Sequence, residues 1–192
     1  VVGVAMRIVL IGPPGAGKGT QSVLMAEWLK VPHLSTGEIL RTACAEKTTI
    51  GRQADQYMEQ GRLVPDALVQ EMVFKELSQP ACQSGYVLDG FPRTVPQAQE
   101  LDIWLERGHS SLSMVLEFRV TEEVLLERLA DRGRADDARG IVHQRLQQYN
   151  DLTRPLIEYY QGRGVLKVIQ GGRGSAEEVF VVIRQMIEDL PS

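Results

Sequence analysis

Gly12-Pro13-Pro14-Gly15-Ala16-Gly17-Lys18-Gly19-Thr20 carries the densest chemistry in the chain, closely spaced glycines and one lysine directly after an apolar run. Glycines let successive backbone N–H groups turn toward one point, which makes a nest for an anion. A helix opening just behind such a loop adds its positive N-terminal end. Lys18 then stands where a transferring phosphoryl group shifts its charge. The G-x-x-x-x-G-K spacing between strand and helix therefore predicts a polyphosphate cradle, not a glycine-rich turn with a solvated lysine. One position departs from the general pattern. Gly19 stands where a Ser or Thr hydroxyl normally meets Mg²⁺, with Thr20 following. This argues against a GTPase or motor-type ATPase and for a small-molecule kinase.

A second run, Asp89-Gly90-Phe91-Pro92-Arg93, also follows an apolar stretch. Phosphoryl transfer needs a carboxylate linked to a metal and a cation on the acceptor phosphate, and this run supplies both within one turn. Arg128, Arg132, Arg134 and Arg145 surround a short polar stretch and fit no apolar helix face. By themselves such charges describe a solvated face.

The elements that must position these groups alternate. Arg7–Ile11, Tyr86–Asp89, Ser113–Val120 and Val165–Ile169 read as buried strands. Helices are predicted over Gln21–Leu29, Gly37–Glu46, Asp66–Ser78 and Pro96–Arg107, the last closed by Gly108. Thr121 is an expected N-cap, with Glu122 and Glu123 in the first turn. Ile141–Arg163 is mainly helical, with a kink or restart at Pro155. Ser175 and Glu178 form a capping box for a last helix reaching about Leu190. Strands alternating with helices predict an α/β fold around a mostly parallel sheet, whose ligands bind beyond the carboxyl ends of the strands. Gly12 and Asp89 both fall at such ends.

Composition sets the outer bounds. A chain of 192 residues suits one domain with small insertions, large enough to need no metal or disulfide staple. Hydrophobic content of 43% with 24% charged residues is that of an ordinary globular protein. The net charge of -4 argues against a nucleic-acid coat. The 16 Arg against 5 Lys favour forked phosphate donors, although a GC-rich genome produces the same skew. Cys44 and Cys82 match no metal-ligand spacing and point to a reducing compartment. No apolar run approaches the ~18 residues of a membrane span. Val1–Ile11 reads as a strand and not as a signal peptide, with Met6 a candidate start and Val1–Ala5 an upstream extension.

Gly12–Gln21, His33-Leu34-Ser35-Thr36-Gly37, Leu88–Thr94 and Gly133-Arg134-Ala135-Asp136-Asp137 together resemble the adenylate kinases, in that family's order and across nearly the whole chain from Met6. The resemblance implies a P-loop three-layer fold. Its central five-stranded parallel sheet would be flanked by helices, within a single kinase domain over 1–192. A helical subdomain binding the nucleoside monophosphate would span 35–64 and a short lid 132–141. It implies reversible transfer from ATP to AMP giving ADP, with Mg²⁺ as cofactor, in a cytoplasmic monomer that engages neither nucleic acid nor membrane. Gly15, Ala16, Gly17, Lys18, Gly19, Thr20 and Arg128 would hold ATP, with Arg128 on its adenine. Asp89 would orient Mg²⁺ through water. Arg41 and Arg93 would bind the AMP phosphate, while Thr36, Val64, Gly90 and Gln97 would line its other contacts. Val64, in the Gly61–Pro65 segment, either packs on the base or belongs to the core. Lys18, Arg93, Arg132, Arg134 and Arg145 would stabilise the transferring charge, each arginine contributing roughly 10³-fold.

Departures from the family pattern are local. Ala138-Arg139-Gly140-Ile141 replaces the usual Asn-x-Glu-Thr after Asp136-Asp137, and bears on lid hinging more than on chemistry. Asp136 and Asp137 either orient the lid arginines or are exposed acids. The lid is short and lacks a cysteine cluster, so no structural zinc is expected. His33 is expected to pack and not to act as a base. Three rivals stay open. UMP/CMP kinases share the scaffold, but Thr36, Thr94 and Gln97 favour AMP. An inactive nucleotide-binding module draws support only from Ala138–Gly140. A sugar or shikimate kinase would not require the paired acceptor-site arginines and Gln97.

Overall fold

The first strand, β1 (Met6–Ile11), is almost wholly buried and lies at the centre of a five-stranded sheet. The computed structural model describes residues 5–132, 139–172 and 174–190. The remaining strands are β2 (His33–Ser35), β3 (Gly85–Asp89), β4 (Met114–Arg119) and β5 (Leu166–Gln170), all parallel, in the order β2-β3-β1-β4-β5. A parallel strand can return to its neighbour's side only through a crossover, and helices supply it. They are α1 (Lys18–Leu29), α2 (Thr36–Ala45), α3 (Thr49–Glu59), α4 (Asp66–Leu77), α5 (Val95–Arg107), α6 (Glu122–Arg132), α7 (Arg139–Gln148), α8 (Pro155–Gly162) and α9 (Ala176–Glu188).

Alternation along the strands sends side chains to two separate cores. Val9, Ile11, Tyr86, Leu88 and Val115 join Leu101, Leu105, Leu156 and Tyr160 on one face. Ile8, Leu10, Val87, Met114, Leu116 and Phe118 join Met25, Leu129, Ile183 and Ile187 on the other. Burial on both faces is why the strands read as continuous apolar runs.

Several boundaries differ from the sequence expectation, for local reasons. Helix α1 begins at Lys18 and not at Gln21, because the end of the glycine loop itself forms the first helical turn. Strand β2 and helix α3 were not foreseen. The strand has only three half-buried residues, and α3 hides its apolar positions among Arg52, Gln53, Asp55 and Gln56. Pro155 restarts the helix as expected, opening α8. The preceding turn, Tyr149–Thr153, widens to π geometry, with the Arg154 N–H donating to the Tyr149 carbonyl at 2.8 Å. The Ser175–Glu178 capping box is present at α9. Among the described residues no helix is long and apolar enough to cross a membrane.

Candidate active site

The glycine loop leaves the carboxyl end of β1 and runs into α1. Gly15 and Gly17 take φ of 83° and 94°, backbone that a side chain rarely tolerates. Gly17 is also the α1 N-cap and offers no side chain to its N–H groups, so those donors remain for an anion. Lys18 folds back over the loop, its ammonium donating to the carbonyls of Gly12 at 2.7 Å and Pro13 at 2.9 Å. Arg128, from α6, reaches across the loop to the carbonyls of Ala16 at 3.5 Å and Gly172 at 2.5 Å. Thr20 is exposed, and Gly15, Ala16, Gly17, Lys18, Gly19 and Thr20 all line one cleft.

Asp89 ends β3, the strand beside β1, in register with Leu10. A Cβ placed on Gly19 would lie 3.8 Å from the Asp89 carboxylate, so the carboxylate faces the start of α1. That distance is ordinary contact, so glycine is not a steric necessity at position 19. Gly90 is one. Its φ is 85°, and a Cβ there would meet Thr36 Oγ1 at 2.5 Å and the Arg93 guanidinium at 3.2 Å. Thr36, buried at the start of α2, donates to the Asp89 carbonyl at 3.3 Å. Arg93 donates through Nε to the Gly90 carbonyl at 2.9 Å. Arg41, one helical turn along α2 from Gly37, lies beside that residue and lines the same cleft.

The cleft has a volume of about 610 Å³, and both motifs open into it. Arg93, Gly90, Gln97, Val64, Arg128 and Arg145 line it together with the glycine loop. Val64 is 5% exposed, belongs to the core and also lines the cleft wall. Arg145 runs along Gly61, whose Cβ would lie 3.3 Å from its side chain. Arg132 closes α6, but its side chain lies outside the described residues. Arg134, Asp136, Asp137 and Ala138, and with them most of the expected lid, also lie outside them.

Several cleft residues escaped the sequence reading. Gln148 accepts the Leu63 N–H at 2.8 Å and so fastens the end of α7 to the segment behind Val64. Tyr149 follows it on the wall. Burial and then Glu117 push the Tyr149 phenol up to about 12, so it stays protonated at neutral pH and serves as no base. Gly171, Gly174 and Ser175 close the end of the cleft near Arg128; the glycine run after β5 was the available signal. Thr94 proves to be the α5 N-cap, accepting from the Gln97 N–H at 3.3 Å. His33 lines the cleft with its Nε2 buried and, among the described residues, without a hydrogen-bond partner.

Strand, glycine loop and helix in this order place the chain among P-loop proteins, which hold nucleotide phosphates at the first helix. Comparison with known proteins narrows the class. The adenylate kinase family model matches residues 10–165. An adenylate kinase from Mycobacterium tuberculosis H37Rv is 49% identical over 175 residues, covering 91% of this chain and 95% of the relative. One from Mycobacteroides abscessus is 47% identical over 182 residues, covering 95% and 99%. One from Trichodesmium erythraeum IMS101 is 45% identical over 190 residues, covering 96% and 99%. The chain belongs to the adenylate kinase family.

Proposed function

We propose that the chain transfers a phosphoryl group reversibly from Mg²⁺-ATP to AMP, giving two ADP. One observation carries this beyond family membership. The anion nest at the end of β1 and the Asp89–Arg93 run at the end of β3 open into one cleft from adjacent strands. Two nucleotides seated there meet phosphate to phosphate.

Each residue then has a physical task. The loop amides hold the donor phosphates, and Lys18 exchanges its two carbonyl partners for the more strongly attracting phosphate oxygens. Arg41 and Arg93 clamp the acceptor phosphate, and Arg93 is aimed by its bond to Gly90. Thr36, Val64, Gly90 and Gln97 seat the acceptor base, while Arg128 lies on the donor base. Arg132, Arg134 and Arg145 surround the charge in transit, and their closure excludes water that would otherwise hydrolyse ATP. The transition state is loose, so alignment and charge supply most of the acceleration and no strong base is required.

The donor set suits Mg²⁺. Among the described residues no cluster of three or more His, Cys, Asp or Glu forms a protein-only cage. The Asp89 carboxylate faces the start of α1, as suits a hydrated hard cation shared with phosphates. When bound, the ion neutralises phosphate charge; Asp89 would hold it through water. We assign the protein to the cytoplasm as a monomer, and light scattering on a sizing column checks the latter.

Incubation with Mg²⁺-ATP and each of AMP, CMP, UMP and GMP tests the function. ADP formation with AMP far above the others is expected. A strong pyrimidine preference would overturn the base assignment, and ATP binding without acceptor-dependent turnover would overturn the enzyme.

A further inference from the structure

Gln97 is 2% exposed, and its side-chain amide is held at both ends. Its Oε1 accepts the backbone N–H of Arg93 at 2.7 Å. Its Nε2 donates to Asp66 Oδ1 at 2.6 Å. The other oxygen of Asp66 accepts the Thr94 hydroxyl at 2.8 Å, and that hydroxyl accepts the Gln97 backbone N–H. Asp66, the first residue of α4, thereby bridges to the start of α5.

Both partners of the amide act in one direction only. A backbone N–H can only donate, and a carboxylate can only accept. Turning the amide over would set Nε2 against an N–H and Oε1 against a carboxylate. The orientation is therefore dictated by the network and is not an arbitrary choice between nitrogen and oxygen. After these bonds the amide keeps one N–H and one oxygen lone pair. That pair of groups complements a base edge with an exocyclic amine beside an unprotonated ring nitrogen. It mismatches an edge with a carbonyl beside a ring N–H, where donor would face donor and acceptor would face acceptor.

We propose that Asp66 is a positioning residue for base choice: by fixing which way the Gln97 amide faces, it makes the acceptor seat select amino-bearing over oxo-bearing bases. This rests on Gln97 meeting the acceptor base, as proposed above. Asp66 itself does not line the cleft. A purely structural Asp66 would support the start of α4 and affect all acceptors alike.

AMP and IMP separate these cases, because they differ only in the amine and carbonyl at one ring position and the ring proton that goes with it. In the wild-type protein kcat/KM should favour AMP over IMP by about 10²-fold or more, since a site built around a donor and acceptor rejects the reversed edge strongly. Asp66→Asn, close to isosteric but able to donate, and Asp66→Ala should each lower the AMP:IMP ratio by about 10-fold, mostly through loss with AMP. Gln97→Ala should erase most of the preference. If Gln97→Ala keeps the wild-type ratio, the base assignment itself fails, and this proposal with it. If Gln97→Ala erases the ratio while both Asp66 variants keep it, only the role of Asp66 fails. A wild-type ratio near one overturns the proposal even if the Asp66 variants do not fold.

Discussion

The two halves of the cleft are built on opposite plans. On the half proposed for the donor, backbone would do the holding, through the amides of Gly15–Thr20 and the N-terminus of α1, with Lys18 held by loop carbonyls. On the half proposed for the acceptor, side chains would do it. Thr36 and Gln97 are each aimed by a hydrogen bond to a distant part of the chain, and Arg93 by one to Gly90 within its own loop. Backbone offers the same groups whatever the residue, so it suits a phosphate chain that is alike in every nucleotide. Side chains carry identity, so they suit the partner that must be told apart. Damage to the first half should thus cost rate, and damage to the second should cost discrimination and acceptor affinity.

Substitutions can break that division. Lys18→Met should produce the largest effect, lowering kcat by at least ~10³-fold while leaving the melting temperature near wild type. A loss shared equally between kcat and the KM for AMP would blur the distinction. Arg93→Ala should come next, cutting kcat/KM for AMP by roughly 10²–10³-fold. Titration with a non-hydrolysable ATP analogue should give near wild-type affinity for this variant, and a matching loss there would join the two halves.

Gly90→Ala should be milder. The new methyl group strains a positive-φ position and presses on Thr36, which predicts about a 10-fold rise in KM for AMP and a stability loss of ~1–3 kcal/mol by denaturant titration. The smallest effect sharpens the picture of the wall they share. The Tyr149 phenol titrates near 10 in an unfolded chain and at about 12 in the fold. Between those values the unfolded chain has released its proton and the folded one has not, so stability falls as pH rises, by ~1.4 kcal/mol per pH unit for this group. Tyr86 and Tyr160, raised chiefly by burial, add to the fall. In Tyr149→Phe, urea titrations from pH 10 to 12 should show a shallower decline.

What could be foreseen divides along the same line. The phosphate loop was legible because its work depends on glycine spacing, and spacing is what a sequence displays. The sheet was legible because strands buried on both faces are apolar throughout. Helix α3 was harder, although Ile50, Ala54, Tyr57 and Met58 recur at helical intervals and Thr48 caps it. The π turn at Tyr149–Thr153 has no residue signature, since one extra residue per turn changes hydrogen bonds and not composition. Asp66 was legible only as a helix start. Its bonds to Thr94 and Gln97 span 28 and 31 positions, and no local pattern announces such a pairing.

The sheet also works as a partition. With Val9 and Leu88 facing one way and Ile8 and Val87 the other, the oily interior comes as two sealed compartments with a hydrogen-bonded wall between them. Changes on opposite sides share few neighbours, so their costs should nearly sum. A lineage, or an engineer, can refurnish one compartment without consulting the other.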